Sequence, residues 1–246
     1  MSDNVNTTQR TRSSWLYQLL LIAILLLGAY VRLVGLDWDE NQHLHPDERF
    51  LTMVESSLEP VAGLGEYFDT ENSTLNPHNR GHGFFVYGTL PIFLVRYVAE
   101  WMDSTGYGEV YLVGRVLSAL ADLGVVGLIY LAAARLYDRK VGILAAAFYA
   151  LAVLPIQQSH FFTVDTFTNF FTFLAVYFGV EVLVSSRSRY HQNRFWKHPV
   201  FWPSLLFGLA LGMAVASKIN AVAVAVVLPL VAGFYWLRLP DQDRDR

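Results

Sequence analysis

The sequence predicts an all-α, polytopic transmembrane helix bundle with a long extracytoplasmic first loop that carries interfacial helices. Three observations point there. Of the 246 residues, 54% are hydrophobic and only 16% charged, against roughly 25% charged in soluble domains. Several apolar runs approach or exceed the ~18–20 residues that cross a bilayer. The polar residues are also unevenly spread: ten of the 21 acidic residues lie between Asp37 and Glu71, opposed only by Arg49. A soluble all-α core is the competing reading, and the low charge fraction disfavours it. Absence of cysteine excludes a disulfide framework and a thiolate metal site. No basic stripe interleaves with aromatic residues, so nucleic acid is not an expected partner, whereas the lipid bilayer is.

In chain order, 1–14 reads as a cytoplasmic tail carrying Arg10 and Arg12. The run WLYQLLLIAILLLGAYVRLVGL at 15–36 is about twice too long for a signal-peptide core and lacks a small-x-small cleavage site, so it reads as a retained first helix. Further apolar segments follow at 84–101, 111–136, 141–158, 161–184, 201–217 and 219–237. Lys and Arg gather at 135–140, at 187–197 (RSRYHQNRFWK) and from Arg238 onward. The positive-inside rule places these with the N-terminus in the cytoplasm. That is consistent only if 84–101 does not cross. Its sequence, FFVYGTLPIFLVRYVAEW, contains Pro91, Arg96 and Glu100 and suits a helix lying in the outer interface. Six crossings result; a seventh at 84–101 is the competing topology. The domain plan is then a tail (1–14), a transmembrane domain (15–237) with an extracytoplasmic loop at 37–110, and a polar tail (238–246) where a longer protein is expected to continue.

The loop is long enough to be functional. Five of the seven histidines (His43, His45, His78, His82, His160), both Asp-Glu pairs (Asp39-Glu40 and Asp47-Glu48) and Asp165 fall on the outer side of this plan. In HPDERF at 45–50, Pro46 suits a first helical turn, and Asp47 and Glu48 then sit at a helix N-terminus where the dipole favours negative charge. Phe50, Val54, Ser57 and Leu58 follow at helical spacing. Ordinary helix-start chemistry explains the acids equally well at this level. Asp165, amid phenylalanines at a helix end and sharing a face with Asn169, is a candidate site residue. Arg115 and Asp122 share a helix face two turns apart. Arg115 lies near the outer end, where an anionic headgroup is in reach, and Asp122 reads as a contact to another helix. Lys218, in the turn ASKIN, either snorkels or binds phosphate.

Taken together, these features resemble the GT-C type of membrane glycosyltransferase, and most closely the family 39 relatives: protein O-mannosyltransferases and the aminoarabinose transferases of lipid A. The resemblance rests on order and spacing over about 15–237. A first helix ends at an outer loop bearing Asp-Glu. The stretch FFVYGTLPIFLVRY follows, then GRVLSALADLGVVGLIYLAAARLYDRKVGILAAAFYALAVLPIQQSHFFTVDTFTNFF, then FGLALGMAVASK. HPDE also resembles the acidic motif of mannosyltransferases that build lipid-linked glycans. The resemblance implies an inverting transferase that takes a sugar, a mannose-like hexose or a pentose, from a polyprenyl phosphate and delivers it to a lipid, glycan or protein acceptor hydroxyl at the extracytoplasmic face of a plasma (inner) membrane. It implies Asp47 as general base with Glu48 beside it. Arg115 and Lys218 would meet the leaving phosphate, Asp165 would be a second acidic site residue, and His160, Asp39 and Glu40 further substrate contacts. Some members bind a divalent metal, for which His45, Asp47 and His160 could supply ligands; no cofactor is otherwise implied.

A transporter or permease, or a non-catalytic assembly subunit, are the alternatives. Transporters place polar groups near the bilayer midplane within repeats, and neither feature is visible here. The topology is directly testable. A reporter fused after Ser104 is expected to read extracytoplasmic, and a cytoplasmic reading would contradict the placement of 84–101.

Overall fold

The computed structural model describes residues 3–185 and 195–238, with side chains described from Trp15 onward. The basic run at 187–194 and the tail beyond Arg238 lie outside the described residues. Every regular element among the described residues is helical, down to the one-turn α3 (Leu64–Phe68) in the first loop. Four stretches are long and apolar enough to cross a membrane: Trp15–Leu33 within α1 (Asp3–Leu33), α5 (Tyr107–Leu136), α8 (Val164–Val184), and Ile219–Leu237. The last of these begins as a 3-10 run, Ile219–Val226, and continues as α10 (Val227–Leu237). Together, α6 (Arg139–Ala150) and α7 (Val153–Ser159) are also long and apolar enough, as a bent pair that is either a broken span or a re-entrant loop. The chain is thus a multi-pass membrane protein. The sixth expected segment, α9 (Phe201–Ser217), is apolar but has 17 residues, or about 26 Å at the α-helical rise, a little under the hydrocarbon thickness.

Three elements differ from the sequence expectation. The 141–158 segment is broken between α6 and α7 by 58°. The break falls just before Pro155, which has no N–H to give a continuing helix and is tolerated only in a new first turn. The 84–101 segment is helical only as α4 (Leu90–Trp101). Twelve residues span about 18 Å, too short to cross. Its first part is irregular, and there Gly88 donates its N–H to the Ser217 carbonyl (3.1 Å); a Cβ at Gly88 would overlap the Ala216 carbonyl. And 1–14 is not separate from the first helix, since α1 begins at Asp3.

The core that matters for function joins the loop to the bundle. It holds Leu51 and Val54 of α2 (Pro46–Glu55), Ile92 and Val95 of α4, Val110 and Val113 of α5, Phe162 and Phe167 from the start of α8, and Ala214 of α9. Each fully buried aliphatic side chain there contributes about 1.5–3 kcal/mol. Phe162 lies so close to α5 that a Cβ at Gly114 would overlap its ring. The helix that HPDERF announces begins at Pro46, with the His45 side chain as N-cap. Its buried face is wider than the spacing of Phe50, Val54, Ser57 and Leu58 suggests. Val54 and Leu58 are buried and Phe50 and Ser57 half-buried, but the buried face of α2 also takes in Glu48, Leu51, Thr52 and Glu55. Of the two acids that face inward, one is paired, as described below, and burial favours the neutral form of the other.

That second acid is Glu55. It is fully buried and neither carboxylate oxygen has a partner among the described residues. Burial pushes its carboxyl well above the ordinary value of 4.5, against a smaller opposing pull from Arg96. An unfolded chain releases this proton at a lower pH than the folded one. The stability Glu55 contributes is therefore fully present below pH 4.5 and is lost as pH rises through the folded value. Glu55→Gln is expected to flatten that decline, read as detergent-solubilised thermal unfolding between pH 4.5 and neutrality. Identical pH slopes in variant and wild type would contradict the neutral assignment.

Candidate functional site

The site is organised by a buried guanidinium. Arg115, one turn below the start of α5's buried face, has no exposed surface. Its Nε and one Nη donate to the two Glu48 oxygens at 2.7 and 2.6 Å, a bidentate pair. The same Nη lies 3.0 Å from Asp39 Oδ2, and the other Nη donates to the Leu36 carbonyl. Trp38 and Tyr111 place ring faces 5.5 and 4.8 Å from its carbon. Glu48 Oε1 also accepts from the Phe162 N–H at 2.8 Å. One carboxylate thus ties α2 to α5 and to the start of α8.

Asp39 completes this cluster. It is buried, and Oδ2 also accepts from the Leu44 N–H. Burial pushes its carboxyl up, but the hydrogen bonds from Arg115 and Leu44 outweigh that and hold it below the usual range. The chain around it turns tightly: Glu40, Asn41 and His43 all have left-handed φ (46°, 65° and 48°). Such residues persist only where surrounding contacts over-determine them. His43 is buried between the Tyr107 and Tyr111 rings, and burial lowers its basicity. Glu40 is exposed and points to no partner among the described residues.

Successive helical residues point about 100° apart. With Glu48 fixed inward, Asp47 is directed elsewhere. It is half-buried and lines a cavity of ≈ 670 Å³ with His45, Asp165, Lys218, Asn220 and Gln158. Asp47 forms no ion pair among the described residues. Its neighbour is Tyr87, whose hydroxyl is pushed above its usual value first by burial, then by the charge of and a hydrogen bond to Asp47, and by Asp165. Across the cavity Lys218 Nζ meets Asp165 Oδ1 at 2.6 Å, with both side chains partly exposed. Asp165 sits in the first turn of α8, and Lys218 ends α9 in an extended conformation.

Deeper in the cavity lie Asp122, Tyr149 and Asn169. Asp122 makes the contact to another helix that its position suggests: Arg32 of α1 donates to it at 2.7 Å, with both side chains buried. Arg32 was not foreseen. An acid inside a membrane helix requires a cation, and Arg32 stands at the end of the first apolar run, which was the available signal. Tyr149, Gln158 and Asn220 carried no signal in the sequence.

The candidate residues therefore divide. Asp47, Asp165, Lys218 and His45 converge on one cavity. Glu48, Arg115 and Asp39 converge behind it, sealed from solvent, so Arg115 does not reach a headgroup and Glu48 presents no free oxygen. His160 lies outside the cavity lining, its Nδ1 2.8 Å from the Ile156 carbonyl and Nε2 3.1 Å from the Val34 carbonyl. His45, Asp47 and His160 do not form a ligand set: both His160 nitrogens face carbonyls, His45 Nδ1 accepts from the Glu48 N–H, and among the described residues no three acidic or histidine side chains are placed to hold one metal ion.

A family model described as dolichyl-phosphate-mannose-protein mannosyltransferase matches residues 87–244, nearly two-thirds of the chain. The match includes Arg115, Asp165 and Lys218 and begins after Asp47. No curated protein and no solved structure matches.

Removing one partner of a buried ion pair strands the other, which costs about 3–5 kcal/mol. Arg115→Met is expected to lower thermal stability in detergent by that amount. Arg115→Lys should recover little, since an ammonium cannot make the bidentate contact. A Met variant as stable as wild type would contradict the clamp.

Proposed function

The chain belongs to the dolichyl-phosphate-mannose-protein mannosyltransferase family, and from that premise we propose that it moves a hexose, mannose foremost, from a polyprenyl phosphate to an acceptor hydroxyl. Asp47 is the general base. The observation that carries this reading is the divergence of two adjacent acids: Glu48 is consumed by Arg115, and Asp47 stands in a cavity that also holds a cation.

In the reaction, the Asp47 carboxylate takes the proton of the acceptor hydroxyl, worth typically about 10²–10⁴ in rate for a positioned base. The acceptor oxygen attacks the anomeric carbon. The bond from that carbon to the phosphate oxygen breaks, and the pair of electrons leaves on the polyprenyl phosphate. Attack opposite the leaving group inverts the anomeric configuration. Lys218 meets the phosphate charge, released from Asp165 as the donor enters. A partly exposed ion pair is worth only about 0–1 kcal/mol, so the exchange is inexpensive. Electrostatic stabilisation at the leaving oxygen then comes from a donor already in place.

The distribution of basic residues supports an outward-facing site. α5 carries Arg115 near its first turns and Arg135 in its last. The basic turn Arg135–Lys140 lies at the opposite end of this 30-residue helix from the cavity. By the positive-inside rule that turn is cytoplasmic and the cavity extracytoplasmic.

Asp47→Asn is expected to reduce hexose transfer in membranes supplied with polyprenyl-phosphate mannose by roughly 10²–10⁴-fold, with thermal stability unchanged. Transfer retained in a stably folded Asn variant would overturn the base assignment.

A further inference from the structure

The cavity floor contains a directed chain of hydrogen bonds that the transfer chemistry above does not use. Arg32 Nε donates to Asp122 Oδ2 at 2.7 Å, Tyr149 Oη donates to Asp122 Oδ1 at 2.7 Å, and Asn169 Nδ2 donates to Tyr149 Oη at 3.0 Å. The direction of each step follows from chemistry. Arg32 only donates, so the Asp122 oxygen facing it accepts, and the other oxygen accepts from Tyr149. A tyrosine hydroxyl has one hydrogen, and that hydrogen is committed to Asp122. Its oxygen can then only accept, so Asn169 must turn its NH₂ toward Tyr149. The amide is thereby locked in one of its two flip states.

The consequence lies on the other side of Asn169. Its Oδ1 has no partner among the described residues, and the side chain is half-buried in the cavity wall. Asn169 stands one helical turn beyond Asp165 on the same face of α8, about 6 Å deeper. A phosphate at Lys218 and a base at Asp47 occupy the rim of the cavity, and Asn169 faces the volume beneath. Threonines 163, 166, 168 and 172 line the same wall. A chamber lined by hydroxyl and amide groups suits a polyol better than an apolar ligand.

We propose that Asn169 reads a ring hydroxyl of the transferred sugar, accepting its hydrogen on Oδ1, and that Tyr149, Asp122 and Arg32 hold the amide in the accepting orientation. Asn169 is a specificity-determining residue, and Tyr149 is a positioning residue that acts through it. The proposal rests on the glycosyl-transfer reading and adds to it the group that recognises the sugar. A fixed acceptor rejects an analogue without that hydroxyl, because the amide oxygen is then left unpaired. An amide free to flip would instead present either an acceptor or a donor and discriminate less.

The test compares polyprenyl-phosphate mannose with its 2-, 3-, 4- and 6-deoxy analogues as donors, in membranes bearing wild type, Asn169→Ala, Asn169→Leu, Tyr149→Phe or Asp47→Asn. Wild type is expected to disfavour one analogue by about tenfold in kcat/KM, the factor that one hydrogen bond is worth. In Asn169→Ala and Asn169→Leu that ratio is expected to fall to near one, through slower mannose transfer, with the other analogues unaffected relative to mannose. Two variants of different volume are used so that a folding defect in one leaves the other to report. Tyr149→Phe should fall between them and wild type. If both Asn169 variants keep the wild-type ratio while transfer and its loss in Asp47→Asn are intact, the sugar-reading role is wrong and the transfer reading stands. If wild type transfers no hexose from any of these donors, the transfer reading fails and the inference falls with it.

Discussion

Everything functional in this fold depends on how Arg115 is buried. An unpaired guanidinium at that depth would cost several kcal/mol, and even a paired one often gains little over apolar packing. What the clamp supplies is geometry. Glu48 takes two hydrogen bonds from Arg115 and one from the Phe162 backbone. Those bonds fix the rotation of α2 about its axis, the seat of α2 on α5, and the start of α8. Asp39 and the Leu36 carbonyl add the chain that follows α1. With rotation fixed, the direction of Asp47 follows from the helical period alone. A loop acid thereby acquires the positional definition of a residue on a rigid element, which a base needs if it is to meet a proton within hydrogen-bond reach.

The cavity shows two layers of polar chemistry with different electrostatic strategies. At the rim, Asp47 and Asp165 share space with Lys218, and the ion pair there is short but partly exposed, so it can be exchanged. At the floor, Arg32 and Asp122 are buried and their partners are fixed. The exchangeable layer suits a charged group that arrives and departs. The fixed layer suits recognition of a neutral group whose orientation must be the same at every turnover. Docking of the segment before α4, through Gly88 against the Ala216–Ser217 backbone, places Tyr87 beside Asp47 and connects the rim to α9.

Much of this was legible in the sequence. The apolar runs gave the helices, Pro46 gave the start of α2, and the positions of Asp47, Asp165 and Lys218 near helix ends suggested one site. What stayed hidden is phase and distance. Asp47 and Glu48 are adjacent and chemically alike, and composition cannot say which faces Arg115, 67 residues away. The buried face of α2 is only partly legible for the same reason: Glu48 and Glu55 count as polar in any periodicity, although pairing lets one be buried and burial favours the neutral form of the other. Arg32 and Asp122 are 90 residues apart, and only their meeting identifies the floor. The bend before Pro155 was legible in principle, since a proline in an apolar run marks a possible restart of the helix.

The most direct measurement is a structure of the protein with a polyprenyl phosphate bound. The account predicts phosphate oxygens within hydrogen-bond distance of Lys218 Nζ, Asp165 released from that lysine, Arg115 still bidentate on Glu48, and Asp47 facing the open part of the cavity. A phosphate held by Arg115, with Glu48 swung out into the cavity, would contradict it.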